Sequence, residues 1–290
     1  MKQTEAFHNN SIKSLALDGN GYLLAGTDNG LYVYHNDVTP LQHIIHDSRN
    51  IQSLTNNIIW NIFADQEHNI WLGTDYGISL SRYNSALQFI PISQITGTGD
   101  GNQFYSLFRD SKGFYWFGGT NGLIRFTDPA GDKHNAIWYR MGDKTYPLSH
   151  NRIRHIYEDK EQQLWIATDG SINRYDYATR QFVHYNIVDS TGTYNTNWTY
   201  YMFEDNAGHL WISTCLGGIF VVDKHRLMQS ASGQYVAEQN YSVHNGLSGM
   251  FINQIIPDNE GNVWVLLYNN KGKDKINPRT REVTKLFADE

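Results

Sequence analysis

The chain has 290 residues, 40% hydrophobic and 18% charged, which is enough apolar material for a sizeable core and too little charge for a disordered polyelectrolyte. Its 23 basic and 29 acidic residues give a net charge of −6 without long blocks of either sign, which argues against a nucleic acid or an anionic membrane as partner. A single cysteine, Cys215, excludes an internal disulfide, and no Cys/His cluster has zinc-like spacing.

At the amino terminus, Met1–His8 lacks the apolar core of an export signal, and no run of 18 apolar residues occurs anywhere, so these residues are expected to make no direct membrane contact. Thr4–Phe7 reads as the fourth strand of a preceding unit. One phrase then recurs six times, starting at Asp18, Asp65, Asp110, Asp159, Asp205 and Asp258, at intervals of about 48 residues. Its fifth copy is Asp205-Asn-Ala-Gly-His-Leu-Trp-Ile-Ser-Thr214.

Each copy sits inside a four-strand pattern. In the second, Ile58–Phe63 alternates as a first strand, Asp65 opens a tight turn, Trp71 marks a second strand ending on Gly73-Thr74, Asp75-Tyr76-Gly77 leads to a third strand at Ile78, and Gln88–Ile90 is the fourth. The fourth copy repeats this with a first strand at Ile153–Tyr157, Trp165, Ala167-Thr168 and a fourth strand at Gln181–Tyr185. Further fourth strands fall at Ala136–Tyr139 and Glu282–Phe287. Leu24 replaces the tryptophan in the first copy, and Leu266-Leu267 replace the small residues in the last. Four antiparallel strands at this period predict an all-β fold, a β-propeller of four-stranded blades, with six repeats spanning 1–290 and no second domain. The spare strand at Thr4–Phe7 suggests a piece of a seven-bladed or double propeller, with six blades closed by that strand as the alternative. Trp71, Trp116, Trp165, Trp211 and Trp264 share one post and are read as blade-to-blade filling, while the small residues two places on let blades approach.

The phrase Asp-x-x-Gly-x-Leu/Ile-Trp-Ile/Leu-Gly-Thr, extended to Arg82-Tyr83 and Arg174-Tyr175 and preceded by Leu54-Thr55-Asn56-Asn57-Ile58 and Leu148-Ser149-His150-Asn151-Arg152-Ile153, resembles the two-component regulator propeller repeat. That resemblance implies the periplasmic sensor region of a hybrid two-component regulator, responding to glycan-derived oligosaccharides and signalling to a histidine kinase outside this chain. It also implies further blades and signalling domains of the parent polypeptide as partners, with a homodimer as one arrangement. No membrane helix, immunoglobulin-like module or kinase motif is present among these 290 residues.

If the aspartate turns mark one face, the lead-ins to first strands and the loops after second strands mark the other. There the non-repeating residues are Asn57, Trp60, Tyr76, Gln103, Phe104, Asn121, Arg152, Asn197, Trp198, Leu216, Met250, Phe251 and Asn269. Aromatics among amides and arginine suit a sugar, whose apolar ring face stacks while its hydroxyls take hydrogen bonds. Asn57, Trp60, Tyr76, Phe104, Asn121, Arg152, Asn197, Trp198 and Phe251 are the candidates selected. Calcium at the aspartate turns is disfavoured, because the position two after Asp varies among Asn20, Glu67, Lys112, Glu161, Ala207 and Glu260. No hydrolase, metalloprotease, P-loop or dinucleotide motif appears, and the fold calls for no cofactor. The alternatives to a sensor are a protein-interaction scaffold and a propeller enzyme of the streptogramin-lyase type using His150, His155 or His244.

Overall fold

The computed structural model describes residues 11–93, 102–127, 136–145, 147–230, 234–268 and 272–286. The strand expected at Thr4–Phe7 lies outside them, as does Asn269. The described residues form six sheets built on four antiparallel strands, each running in chain order from first strand to fourth, so the fold is an all-β propeller of six blades. The chain divides into two compact units, Met1–Trp138 holding blades 1 to 3 and Tyr139–Glu290 holding blades 4 to 6.

Blade 2 shows how the sequence sets the register. Its strands are Ile59–Ala64, Ile70–Thr74, Gly77–Ser81 and Phe89–Pro91. The backbone of Asp65 accepts from His68 at 3.0 Å, closing a four-residue turn. Residue 68 then adopts positive φ, at 63°. Glycine holds the matching position in four blades (Gly21, Gly113, Gly208, Gly261), whereas blades 2 and 4 put His68 and Gln162 into the same left-handed conformation. The turn aligns Phe63 opposite Trp71, and Trp71 opposite Leu80.

Within each unit, successive blades pack through their first and second strands. In the first unit Leu24, Leu31 and Val33 of blade 1 share a buried cluster with Ile59, Ile62 and Leu72 of blade 2. Trp71 meets Tyr115, Phe117 and Phe126 of blade 3. In the second, Trp165 of blade 4 joins Met202, Leu210 and Phe220 of blade 5, and Trp211 joins Ile252, Ile255 and Val265 of blade 6. A Cβ at Gly26 would fall 2.7 Å from Ile59, and one at Gly73 would fall 2.7 Å from the Phe104 carbonyl, so these small residues do admit the next blade. The threonine beside them has a separate task. Thr74 Oγ1 donates to the Gly77 carbonyl at 2.9 Å and accepts the Tyr76 amide at 3.1 Å, fastening the loop between second and third strands. Thr27, Thr168 and Thr214 repeat this.

Blade 5 departs from the pattern. After its third strand a short helix (Lys224–Gln229) and a strand (Gln234–Val236) intervene, and that strand pairs in parallel with Gln181–Val188, the outer strand of blade 4. Only then does the chain return to complete blade 5 with Gln239–Tyr241.

Candidate functional site

The recurring aspartates belong to the fold. Each carboxylate accepts backbone amides two and four residues on in most blades, as at Asp110 with Lys112 at 3.0 Å and Phe114 at 2.8 Å. Its other oxygen accepts the indole N–H of the same blade's tryptophan: Asp65 from Trp71 at 2.8 Å, Asp110 from Trp116 at 2.7 Å, Asp159 from Trp165 at 2.9 Å, Asp205 from Trp211 at 2.9 Å and Asp258 from Trp264 at 3.0 Å. A carboxylate so engaged binds the turn to the second strand. On the same side a depression of about 850 Å³ between blades 5 and 6 is lined by the motif residues Asp205, Trp211 and Asp258 together with Glu238, Tyr241 and Arg281.

The opposite ends of the blades carry side chains that vary from repeat to repeat, and two clusters form there, one in each unit. The cluster in the first unit is centred on Asp75, the residue after Thr74. Asp75 Oδ1 accepts the Trp60 indole N–H at 3.0 Å and the Gln103 amide at 2.6 Å, and Gln103 in turn accepts from the Tyr105 hydroxyl at 2.5 Å. Trp60 meets Tyr105 edge-on at 5.3 Å and lies beneath the Lys13 ammonium at 4.4 Å. Tyr76, adjoining Asp75, is exposed.

The second unit repeats the geometry with different chemistry around Asp169, the residue after Thr168. Arg154 donates to its two oxygens at 2.8 and 3.4 Å, and Arg152 stands 3.7 Å away. The Arg154 guanidinium lies 4.6 Å above the Tyr200 ring, Tyr200 meets Phe251 edge-on at 5.7 Å, and Phe251 stacks on Tyr268 at 4.5 Å. Trp198 is attached through its backbone: its amide donates to the Asp169 carbonyl at 3.0 Å and its carbonyl accepts the Cys215 amide at 3.0 Å. Those bonds hold Trp198 at φ 55°, a costly conformation for a bulky residue. Burial pushes both the Cys215 thiol and the Tyr200 phenol up, leaving Arg152, Arg154 and Asp169 as the charges here.

Of the residues predicted from sequence, Trp60 and Tyr76 thus fall in the first cluster, and Arg152, Trp198 and Phe251 in the second. Asn121 is exposed, with its amide donating to Asn102 at 3.0 Å, and Asn197 is exposed beside Trp198. Asn57 is used between blades, its side chain accepting the His46 amide at 2.6 Å and its carbonyl the Gly30 amide at 2.7 Å. Phe104 is off this surface altogether: fully buried, it packs edge-on against Phe117 in the core between blades 2 and 3. It opens its strand at the place held by Ile59 and Ile153, where the fold wants an apolar side chain. Asp75, Tyr105, Arg154, Asp169 and Tyr200 were missed. Comparing the second residue of each first strand across blades (Lys13, Trp60, Tyr105, Arg154, Tyr200, Asn253) would have found three of them, since that position varies while its preceding neighbour is apolar in every blade but the fifth, which has Thr199.

The three histidines proposed for an enzyme are separated by role. His155 stacks on Tyr201 at 3.9 Å with its Nδ1 accepting the Met202 amide at 3.3 Å; burial pushes its pKa well down. His150 accepts the Arg152 amide at 3.0 Å, and His244 lies 3.3 Å from the Tyr194 hydroxyl. Among the described residues, no three His, Cys, Asp or Glu side chains are placed to hold a metal ion together.

The sequence matches the two component regulator propeller family at residues 53–76, 98–121 and 147–170. It is 95% identical to the crystallised extracellular domain assigned to hybrid two component system BT4673 of B. thetaiotaomicron, covering 99% of this chain and 38% of that one with a TM-score of 0.67. It is 26% identical over 205 residues to histidine kinase P4 of Formosa agariphila, covering 65% of this chain and 13% of the kinase. The chain therefore spans less than two fifths of these relatives. Virginiamycin B lyase of Staphylococcus aureus shares the fold at 11% identity and a TM-score of 0.67, covering 96% of this chain and 84% of the lyase.

Proposed function

We propose that this chain, a member of the two-component regulator propeller repeat family, is a ligand-sensing module of a hybrid two-component regulator, lies in the periplasm, and recognises glycan-derived oligosaccharides through the surface opposite the aspartate turns. The supporting observation is the pair of clusters around Asp75 and Asp169, where aromatic rings and hydrogen-bonding groups lie together at positions the repeat leaves free to vary. Tyr76, Trp198 and Tyr268 expose apolar ring surface beside polar groups, the pairing that a sugar's C–H face and hydroxyls require. Binding in this reading does no chemistry. It shifts the population of signalling states, and a kinase elsewhere in the parent polypeptide, together with further blades, reads that shift.

Calorimetric titration and thermal-shift screening against oligosaccharide fractions test the reading. Saturable binding with a raised melting temperature is expected. Silence across a broad glycan panel would favour a protein-interaction scaffold, and product formation would favour an enzyme.

A further inference from the structure

We infer that the oligosaccharide taken by the second unit is acidic, its carboxylate received by Arg152. The inference rests on the sensing reading above and narrows it to uronic-acid-containing sugars.

The two clusters are the same socket filled differently. Trp60 and Arg154 occupy the second position of their first strands, and each donates to the aspartate that follows the capping threonine. Blade 2 shows that a neutral indole N–H suffices to hold that aspartate, so the fold does not require a guanidinium there. Nor does it require one at residue 152, where blade 2 has Ile58 and blade 3 has Gln103. Only blade 4 has a cation at both positions: blade 1 has Lys13 at the place of Arg154 but Ser11 at the place of Arg152, and the other blades are neutral at both.

Their charges do not cancel. Among the described residues Arg152 and Arg154 both pair with the carboxylate of Asp169, two cations on one anion, and burial pushes the Cys215 thiol and the Tyr200 phenol beside them up. In the first unit Lys13 and Asp75 balance. Arg154 is committed, with 16% of its side chain exposed and two hydrogen bonds to Asp169. Arg152 is not: its side chain is 44% exposed and its closest carboxylate oxygen is 3.7 Å away. A guanidinium in that state offers a planar pair of N–H donors, the match for a carboxylate. Trp198, bonded through its amide to the carbonyl of Asp169 and 48% exposed, supplies stacking surface for the ring that bears the carboxylate. A bare inorganic anion would leave that ring unused.

The test titrates the protein with oligogalacturonate, oligoalginate and hyaluronan fragments of two to six sugars, each beside its carboxyl-reduced neutral counterpart, at low and high salt. At least one acidic fragment is expected to bind saturably, at least tenfold tighter than its reduced form, with the advantage shrinking as salt rises. Arg152→Gln should abolish that advantage with an unchanged melting temperature, because an exposed arginine contributes little to the fold. Arg152→Lys should keep part of it. Equal affinity for acidic and reduced fragments, or a preference that survives Arg152→Gln, overturns the acidic class and leaves oligosaccharide sensing standing. No saturable binding by these or by the wider neutral panel overturns both.

Discussion

At the scale of single residues, the strongest regularity is a carboxylate that ties a turn to a ring. In Asp110 one side chain satisfies two backbone amides and the Trp116 indole, all close to or inside the core. Asp110→Ala strands those donors and is expected to cost about 2–4 kcal/mol, read as a lower urea midpoint with an unchanged slope. The turn has its own weakness, since Gln162 bears a side chain at φ 60° where four blades use glycine. Gln162→Gly should raise stability by up to about 1 kcal/mol, the left-handed penalty relieved exceeding the added freedom of the unfolded chain. Trp198 shares the strain but points into solvent. Trp198→Gly is therefore expected to hold or raise the melting temperature while weakening oligosaccharide binding; loss of both would make it a folding residue.

At the scale of elements, the blade 4 and blade 5 pair is the most specialised. Lys224, fully buried at the start of the short helix, lies 2.9 Å from Glu204 of blade 5 and 3.2 Å from Asp159 of blade 4. The same Asp159 oxygen receives the Trp165 indole. Removing a buried cation strands its carboxylates, so Lys224→Met should cost about 3–5 kcal/mol by chemical denaturation. None of this was legible in the sequence. First, second and third strands were, because alternation and a turn signal recur six times, a tryptophan five times, and each copy corroborates the rest. The helix of six residues is too short to display a period, and Gln234–Val236 pairs with a strand more than forty residues earlier, a contact no local pattern announces. The site was half legible for a related reason. Exposed, unrepeated Trp198 and Arg152 stood out, whereas Asp169 looked like loop filler and Tyr200 like one more strand aromatic.

At the scale of the whole molecule, acid is expected to act in two stages. Burial lowers the His155 pKa, so the native state holds the ring neutral; the stability this confers is complete above about pH 6.5 and is lost as pH falls below it, by up to about 1.4 kcal/mol per pH unit. A second loss follows below about pH 4, from carboxylates held under their ordinary range. In Asp205 burial pushes upward, and the Trp211 indole and the His209 and Ala207 amides outweigh it. Melting temperature measured from pH 8 to pH 3 should show both declines, and His155→Phe should flatten the first alone; an unaltered slope in that variant would assign it elsewhere. The parallel strand laid from blade 5 onto blade 4 carries a different kind of consequence. Arrays of this sort grow and shrink by gene duplication and unequal recombination, one period at a time. Excising either of these two repeats would sever Gln234–Val236 from Gln181–Val188 and separate Lys224 from Asp159, so the pair is expected to be inherited as one unit while other repeats come and go.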